Sequence, residues 1–283
     1  MKPSDLVGLL AQPPAIGALV LLVLWILGGL RTVPGAKPRR ERAWRTLAFL
    51  AGLATVVGPE LLSQAAQSLF WVHMDQHLLL VTVAPPLLLV GAPWTRALRG
   101  IPLGLRRVVA RSIYRGPGAA ILLGIWRTLR RPRPVVAIFL VNLWAWHLVS
   151  FYQLTLANLV IHHVEHALLF LSGLALWALL VDSPPLFAGL APAGRVVVAT
   201  VAMMGCWAMS VVLAFAPYAF YPGYYGLASR PGGFSALTDQ QLGAGMMWGP
   251  GSIPLAIVVF MSLAAWLQSE SEPATPARAR ADG

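Results

Sequence analysis

Residues Leu159–Val181 read LVIHHVEHALLFLSGLALWALLV, and this stretch decides the fold of the chain. It contains no lysine, arginine or aspartate, and about 20 predominantly apolar residues suffice for a helix to cross the hydrocarbon core of a bilayer. The stretch therefore predicts a transmembrane helix. Its beginning carries four ionisable side chains, His162, His163, Glu165 and His166. Such groups are costly inside a membrane and usually serve a function.

The composition of the whole chain agrees with a membrane protein. Of its 283 residues, 58% are hydrophobic and only 11% are charged, and the mean hydropathy is +0.70. A soluble domain carries about 25% charged residues. The single Cys206 excludes a disulfide framework. The net charge of +11 does not indicate a nucleic-acid partner, because the basic residues fall between apolar runs, where they meet anionic membrane lipid.

Six further apolar runs accompany the first, so the predicted fold class is all-α, a polytopic transmembrane helix bundle of seven spans. Gly58 and Pro59 are expected to end the second span, and Pro85 and Pro86 to kink the third. The predicted spans are Ile16–Leu30, Trp44–Val57, Ala65–Val90, Val135–Phe151, Leu159–Val181, Val196–Phe215 and Leu237–Leu267.

The seven helices are predicted to form one domain over residues 1–268. The polar, Ala- and Pro-rich segment 269–283 reads as a disordered cytoplasmic tail. Residues Arg115–Leu129 hold too few apolar side chains to cross the membrane, so we expect a re-entrant or surface-lying segment there. The sequence Gly249–Gly251 interrupts the seventh span.

The distribution of basic residues predicts the orientation of the bundle. Of the 21 lysines and arginines, all but Lys2 and Arg230 fall in the loops after spans 1, 3 and 5 or in the C-terminal tail. Cytoplasmic loops carry the excess of lysine and arginine. The N-terminus is therefore predicted outside and the C-terminus inside, in a multi-pass protein of a bacterial inner membrane.

With this topology all six histidines lie in the outer half of the membrane, where they predict a metal site, because imidazole is the commonest metal ligand. Both His73 with His77 and His162 with His166 are four residues apart and share a helix face. His163 points about 100° away from His162, so either of the two could face the bundle. The six candidate ligands are His73, His77, His147, His162, His163 and His166.

Other side chains could support these ligands. Metal-bound imidazoles usually donate their second N–H to a carboxylate or a carbonyl group, and Asp75, Glu165 and Asp239 are the candidate carboxylates. Thioethers favour Cu(I). The possible soft ligands are Met74, Met246 and Met247.

Several other interpretations stay open at this point. Histidines in membrane helices often form only structural hydrogen bonds between helices. One histidine from span 3 and one from span 5 could ligate a haem, and a relay of histidines and carboxylates could move protons or metal ions. A purely structural scaffold is a further possibility. The chain contains no nucleotide-binding loop, no HExxH motif and no serine-triad signature, so it is not expected to be an enzyme.

Three separated blocks of residues resemble the CtaG family of caa(3)-type cytochrome c oxidase assembly factors. The similarity extends over about Leu47–Leu267. The first block is HMDQHLLL at His73–Leu80 with APPLLLVGAP at Ala84–Pro93. The second block consists of Trp146, His147 and Tyr152, followed by His162–Gly173. The third block is DQQLG at Asp239–Gly243 with Met247, Trp248, Pro250 and Gly251.

This resemblance implies assembly of a haem-copper cytochrome c oxidase, with copper, Cu(I) or Cu(II), held or delivered through the histidines. The implied partners are oxidase subunits and an extracytoplasmic copper donor. Asp75 lies within the first block but at a variable position of the motif, so the resemblance does not assign it a role. By match to the blocks, the family's residues correspond to His73, His77, His147, His162 or His163, His166 and Asp239.

Overall fold

The computed structural model describes residues 12–31, 43–185, 188–225 and 230–271, and these ranges are helical with short connections. Within them no β-strand occurs, so the predicted all-α class is confirmed. The helices are α1 (Pro13–Leu30), α2 (Ala43–Leu61), α3 (Ser63–Ala66), α4 (Phe70–Leu78), α5 (Ala84–Gly91), α6 (Trp94–Gly100), α7 (Leu103–Arg115), α8 (Ala119–Leu129), α9 (Pro132–Trp146), α10 (Val149–Ala157), α11 (Leu159–Leu180), α12 (Pro192–Ala214), α13 (Ala236–Trp248) and α14 (Ile253–Ser271).

Within the described ranges, five helical segments are long and apolar enough to cross a membrane. The pair α9 and α10, bent by 69°, would make a sixth if it counts as one span. Helix α2 lies where the second span is predicted and is not among the five. The seven-span count and the orientation stay predictions. The five segments are Pro13–Leu30, Phe70–Gly91, Leu159–Leu180, Pro192–Ala214 and Ala236–Ser271.

The expected end of the second span at Gly58 and Pro59 is wrong. Helix α2 continues to Leu61 with Pro59 inside its last turn. Proline removes one intrahelical hydrogen bond, which matters little this close to the helix end. The carbonyl of Pro59 also accepts a hydrogen bond from the Gln76 side-chain amide at 2.5 Å, and this bond ties α2 to α4.

The fourth span is also not a single helix ending near Phe151. Helix α9 stops at Trp146, Leu148 adopts an extended conformation, and α10 starts at Val149 in a different direction. The carbonyl of His147, released from helical pairing at the break, accepts a hydrogen bond from the Tyr221 hydroxyl at 3.0 Å. A buried backbone carbonyl needs such a partner, so the Tyr221 hydroxyl stabilises the bend.

A π-helical turn, Leu79–Val83, precedes the two prolines that were expected to kink the third span. Pro85 has no N–H to bond the carbonyl of Val81 four residues earlier. The indole N–H of Trp177 on α11 donates to that carbonyl instead, at 2.9 Å. One turn earlier on α11, a Cβ at Gly173 would lie 2.9 Å from the same oxygen, so the close approach of the helices requires glycine here.

The main apolar core lies between α5, α9, α11 and α12, and Phe139, Leu176 and Trp177 are among its most buried members. The basic region after the third span contains helices rather than a loop alone. Helices α7 and α8 bury no residue, and α8 covers most of the segment predicted to be re-entrant or surface-lying.

The predicted tail begins too early, because α14 extends to Ser271 and residues 269–271 are therefore helical. The remainder of the predicted tail, residues 272–283, lies outside the described residues. Lys2 and the basic residues at positions 37–42, which contributed to the predicted orientation, also lie outside the described ranges.

Candidate metal centre

Two helices bring four candidate ligands together in the interior of the bundle. Helix α4 contributes His73 and His77, and α11 contributes Glu165 and His166. All four side chains are buried, and one ligand atom from each lies within 4.8 Å of the others. We call these four residues the histidine centre. Residues four apart share a helix face, so His73 and His77 both lie on the side of α4 that meets Glu165 and His166.

The carboxylate of Glu165 lies among the imidazoles. Its Oε2 is 3.7 Å from Nε2 of His73, and its Oε1 is 3.5 Å from Nε2 of His77. The ring centroids of His73 and His77 are 4.6 Å apart, and that of His166 lies 5.4 Å from His77 and 5.9 Å from His73. Glu165 is fully buried, so its carboxylate is shielded from water. The three imidazoles of His73, His77 and His166 lie close to it.

The polar atoms of the centre lack hydrogen bonds within the described part of the chain. A buried polar atom without a partner costs about 1–3 kcal/mol, and a charged one costs more. So many polar atoms without hydrogen-bond partners, close to one another, indicate a binding site for a cation. They are Nε2 of His73, both ring nitrogens of His77 and of His166, and both carboxylate oxygens of Glu165.

The donor set also fits a metal ion in size. An ion lies about 2.0 Å from a ligating nitrogen or oxygen, so ligands on opposite sides of it are about 4 Å apart. The ligand atoms here are separated by at most 4.8 Å, a difference that small side-chain rotations can remove. Imidazole suits copper, zinc and iron, and thiolate ligands are not part of the set.

Two tyrosines orient the ring of His73 through hydrogen bonding at its Nδ1 atom. The Tyr152 hydroxyl is 3.0 Å from Nδ1 of His73 and 3.2 Å from the Tyr224 hydroxyl, which donates to the carbonyl of Ala66 at 3.0 Å. If each group donates to the next, Nδ1 of His73 carries the proton and Nε2 is free to ligate a metal. Such a chain fixes the tautomer of a metal-binding histidine.

His147 lies at the margin of the centre. Its Nδ1 is 2.7 Å from the carbonyl of Leu143, to which it donates, so Nε2 is left as a free acceptor. Its ring centroid is 5.8 Å from that of His77. His147 is thus buried beside the group of four without being one of them.

The structure separates His162 from His163. The ring of His162 lies 4.0 Å from that of His166 and 5.3 Å from that of His73. His163 instead faces α2, where its Nε2 is 4.0 Å from Oε1 of Glu60. Of the two histidines, His162 is therefore the neighbour of the centre.

The three predicted supporting carboxylates have different surroundings. Glu165 lies inside the centre. Asp239 accepts the backbone N–H groups of Phe70 at 2.9 Å and Trp71 at 3.0 Å, so it caps the start of α4, which carries His73. Asp75 is two residues from His73, which places it on another face of α4, and it is not part of the group.

The predicted soft ligands are not brought into the centre. Met74 and Met247 are buried in an apolar cluster with Phe70 and Tyr152. Met246 is partly buried and lines a surface groove beside Trp71. These contacts are typical of methionine as an adaptable packing residue.

Sequence reasoning missed the two tyrosines. Tyr152 stood in a block shared with the family, but nothing in its spacing shows that its hydroxyl reaches His73. Tyr224 belongs to the connection between α12 and α13, and no periodicity relates that segment to α4. Glu60, in the last turn of α2, was not among the predicted site residues.

Comparison with known families identifies a match. A family model described as cytochrome c oxidase caa3 assembly factor (Caa3_CtaG) matches residues 21–269. This range contains all six histidines and both tyrosines. No curated protein and no solved structure matches the chain.

Proposed function

The chain belongs to the cytochrome c oxidase caa3 assembly factor family, and from this premise we propose that it serves oxidase assembly by holding copper in the histidine centre and delivering it to an oxidase subunit. The observation that supports this is the set of orphaned imidazole and carboxylate atoms around Glu165. Copper is cargo in this proposal, and the role is not catalytic.

The charge of the centre favours Cu(I). Imidazoles ligate metals in their neutral form, so Glu165 is the one charged member of the group of four. A single positive charge on the ion then balances the carboxylate, whereas Cu(II) would leave a net charge in an apolar interior, at a considerable cost.

The proposed topology gives the transfer a direction. With the N-terminus outside a bacterial inner membrane, His73 and His166 both follow soon after the outer ends of their helices. An extracytoplasmic donor could then load the site, and the oxidase could receive the ion within the membrane. In this arrangement the arginine-rich helix α7 faces the cytoplasm and the anionic lipid surface.

The experiment is metal and haem analysis of detergent-purified protein from cells grown with added copper. We expect near-stoichiometric copper in the wild type and its loss in the double variant His73→Ala/His77→Ala. The exposed Gln64→Ala, on α3, is the matched control and should keep its copper. Size-exclusion profiles and thermal unfolding establish that each variant is folded. A folded wild type without copper would contradict the proposal.

The same samples decide the haem alternative, in which His73 and a histidine of α11 would ligate the iron. A haem needs a flat slot between the two helices, but the Glu165 carboxylate lies in that space, 3.5 and 3.7 Å from two of the imidazoles. We therefore expect no Soret absorption. A Soret band that is lost in the double variant would replace the copper proposal.

A further inference from the structure

Glu60 and His163 form a second, shallower group beside the histidine centre. Oε1 of Glu60 lies 4.0 Å from Nε2 of His163. The two side chains are 6% and 15% exposed, compared with 0% for Glu165. Neither of these two atoms has a hydrogen bond within the described ranges. We call Glu60 and His163 the outer pair.

The outer pair is built by two different helices. Glu60 is the second-last residue of α2, and His163 lies in the second turn of α11. The hydrogen bond from Gln76 to the carbonyl of Pro59 fixes the end of α2 against α4. The carboxylate is therefore held in place next to the centre rather than on a free chain end.

A continuous series of imidazoles connects the two groups. The ring of His163 lies 5.9 Å from that of His162, and His162 lies 4.0 Å from His166 and 5.3 Å from His73. His162 thus touches both groups, and it is less buried than His166. His163 and His162 are half-buried, whereas His166 and the other members of the centre are buried.

We propose that Glu60 and His163 are a loading site for copper, distinct from the histidine centre, and that His162 passes the ion between them. This inference rests on the proposed function. The transfer is a ligand exchange, in which coordinate bonds to Glu60 and His163 break while bonds to His162 and then His166 form. The oxidation state of copper does not change, and no other reactant is needed.

A loading site of this kind helps a copper ion to reach the deeply buried histidine centre. A hydrated ion must lose its water before it can enter an apolar interior, and this step is slow unless protein ligands replace the water one at a time. A carboxylate near the surface also raises the local concentration of a cation. The outer pair supplies one carboxylate and one imidazole for this purpose.

The test is the time course of copper uptake by purified apo-protein, with Cu(I) alone added under anaerobic conditions. Samples are desalted at successive times, and the bound copper is measured. We expect Glu60→Gln and His163→Ala to load about tenfold more slowly than the wild type, in the range that local charge affects association rates, and to reach the same final copper content. His162→Ala should show the same delay.

Two comparisons make the outcome decisive. His77→Ala should lose the final copper content itself, and Gln64→Ala should load at the wild-type rate. Loading of Glu60→Gln and His163→Ala at the wild-type rate would overturn the loading site while the centre stands. Loss of their final copper content, in folded protein, would instead make the outer pair part of one site and would also overturn the inference. A wild type that binds no Cu(I) would mean that the proposed function has failed.

Discussion

Asp182 and Glu165 are both carboxylates beside basic side chains, but their surroundings differ. Asp182, which follows α11, accepts the backbone N–H of Ala188 at 2.9 Å and pairs with Arg195 at 3.0 Å. Arg195 also donates to the carbonyls of Leu190 and Leu180. Glu165 has no hydrogen bond within the described residues although it is completely buried.

The difference shows which group is complete without a ligand. Burial alone would raise the pKa of Asp182, but the Ala188 N–H and the Arg195 guanidinium together hold this pKa below its ordinary value of 3.8. The ion pair of Asp182 with Arg195 is thus a structural contact that needs no bound ligand. The histidine centre has the same kind of acidic group, but its carboxylate and the imidazoles around it lack hydrogen bonds within the described residues, so a cation would complete it.

Glu165→Gln tests this contrast with the largest expected effect. The substitution keeps the shape of the side chain and removes its charge. Because Glu165 is itself one of the four ligands, we expect copper affinity to fall by about 100-fold or more, since even a supporting group of a metal site contributes up to about that much. Competition with a chromophoric Cu(I) chelator measures the affinity.

The same variant carries a second readout. Replacing a buried, uncompensated charge by a neutral group is neutral or stabilising, so the apo form of Glu165→Gln should unfold at the same temperature as the wild-type apo form or above it. An apo variant with lower thermal stability would show that Glu165 is a structural group like Asp182. The proposed difference between the two carboxylates would then be wrong.

Tyr152→Phe sharpens the comparison at the level of hydrogen bonding. The loss of the hydroxyl leaves Nδ1 of His73 without its nearest partner and breaks the chain to Tyr224 and Ala66. We expect copper affinity to fall about tenfold, measured by the same competition. The exposed Tyr218→Phe is the matched control and should bind like the wild type. Equal affinity of both variants would mean that packing alone orients His73.

The fold could be predicted from the sequence because its signal is local. Runs of apolar residues marked the long helices, and the histidine spacing marked the face of α4 that reaches α11. Two irregular features have partners elsewhere in the chain. The carbonyl released at the break after Trp146 accepts from the Tyr221 hydroxyl, and the carbonyl of Val81 in the wide turn before Pro85 accepts from the indole of Trp177. Neither partner is near in sequence.

The candidate site was predictable only in part for the same reason. Periodicity placed the paired histidines on shared faces, but it could not rank Glu165 above Asp75, because the rotation of α4 and α11 about their axes depends on packing. Nor could it show that His162 and His163 face different neighbours. Those distinctions come from contacts between helices, and the sequence encodes them only through the whole bundle.

Asp182→Asn is the variant with the smallest expected effect. An amide oxygen can still accept the Ala188 N–H, so the variant loses only the charge next to Arg195. The two side chains are 44% and 23% exposed, and pairs of this kind contribute about 1 kcal/mol or less. We expect a small decrease in thermal stability at neutral pH and no change in copper affinity.

The pH dependence of that decrease identifies its cause. Because the folded-state pKa of Asp182 is depressed, its contribution is complete above the unfolded pKa of about 3.9 and is lost as the pH falls through the lower folded value. Thermal unfolding of wild type and Asp182→Asn should therefore differ at pH 7 and converge below that range. A stability difference that persists in acid would show that the substitution acts through altered packing. A loss of copper affinity would show that Asp182 contributes to the histidine centre, contrary to the contrast drawn here.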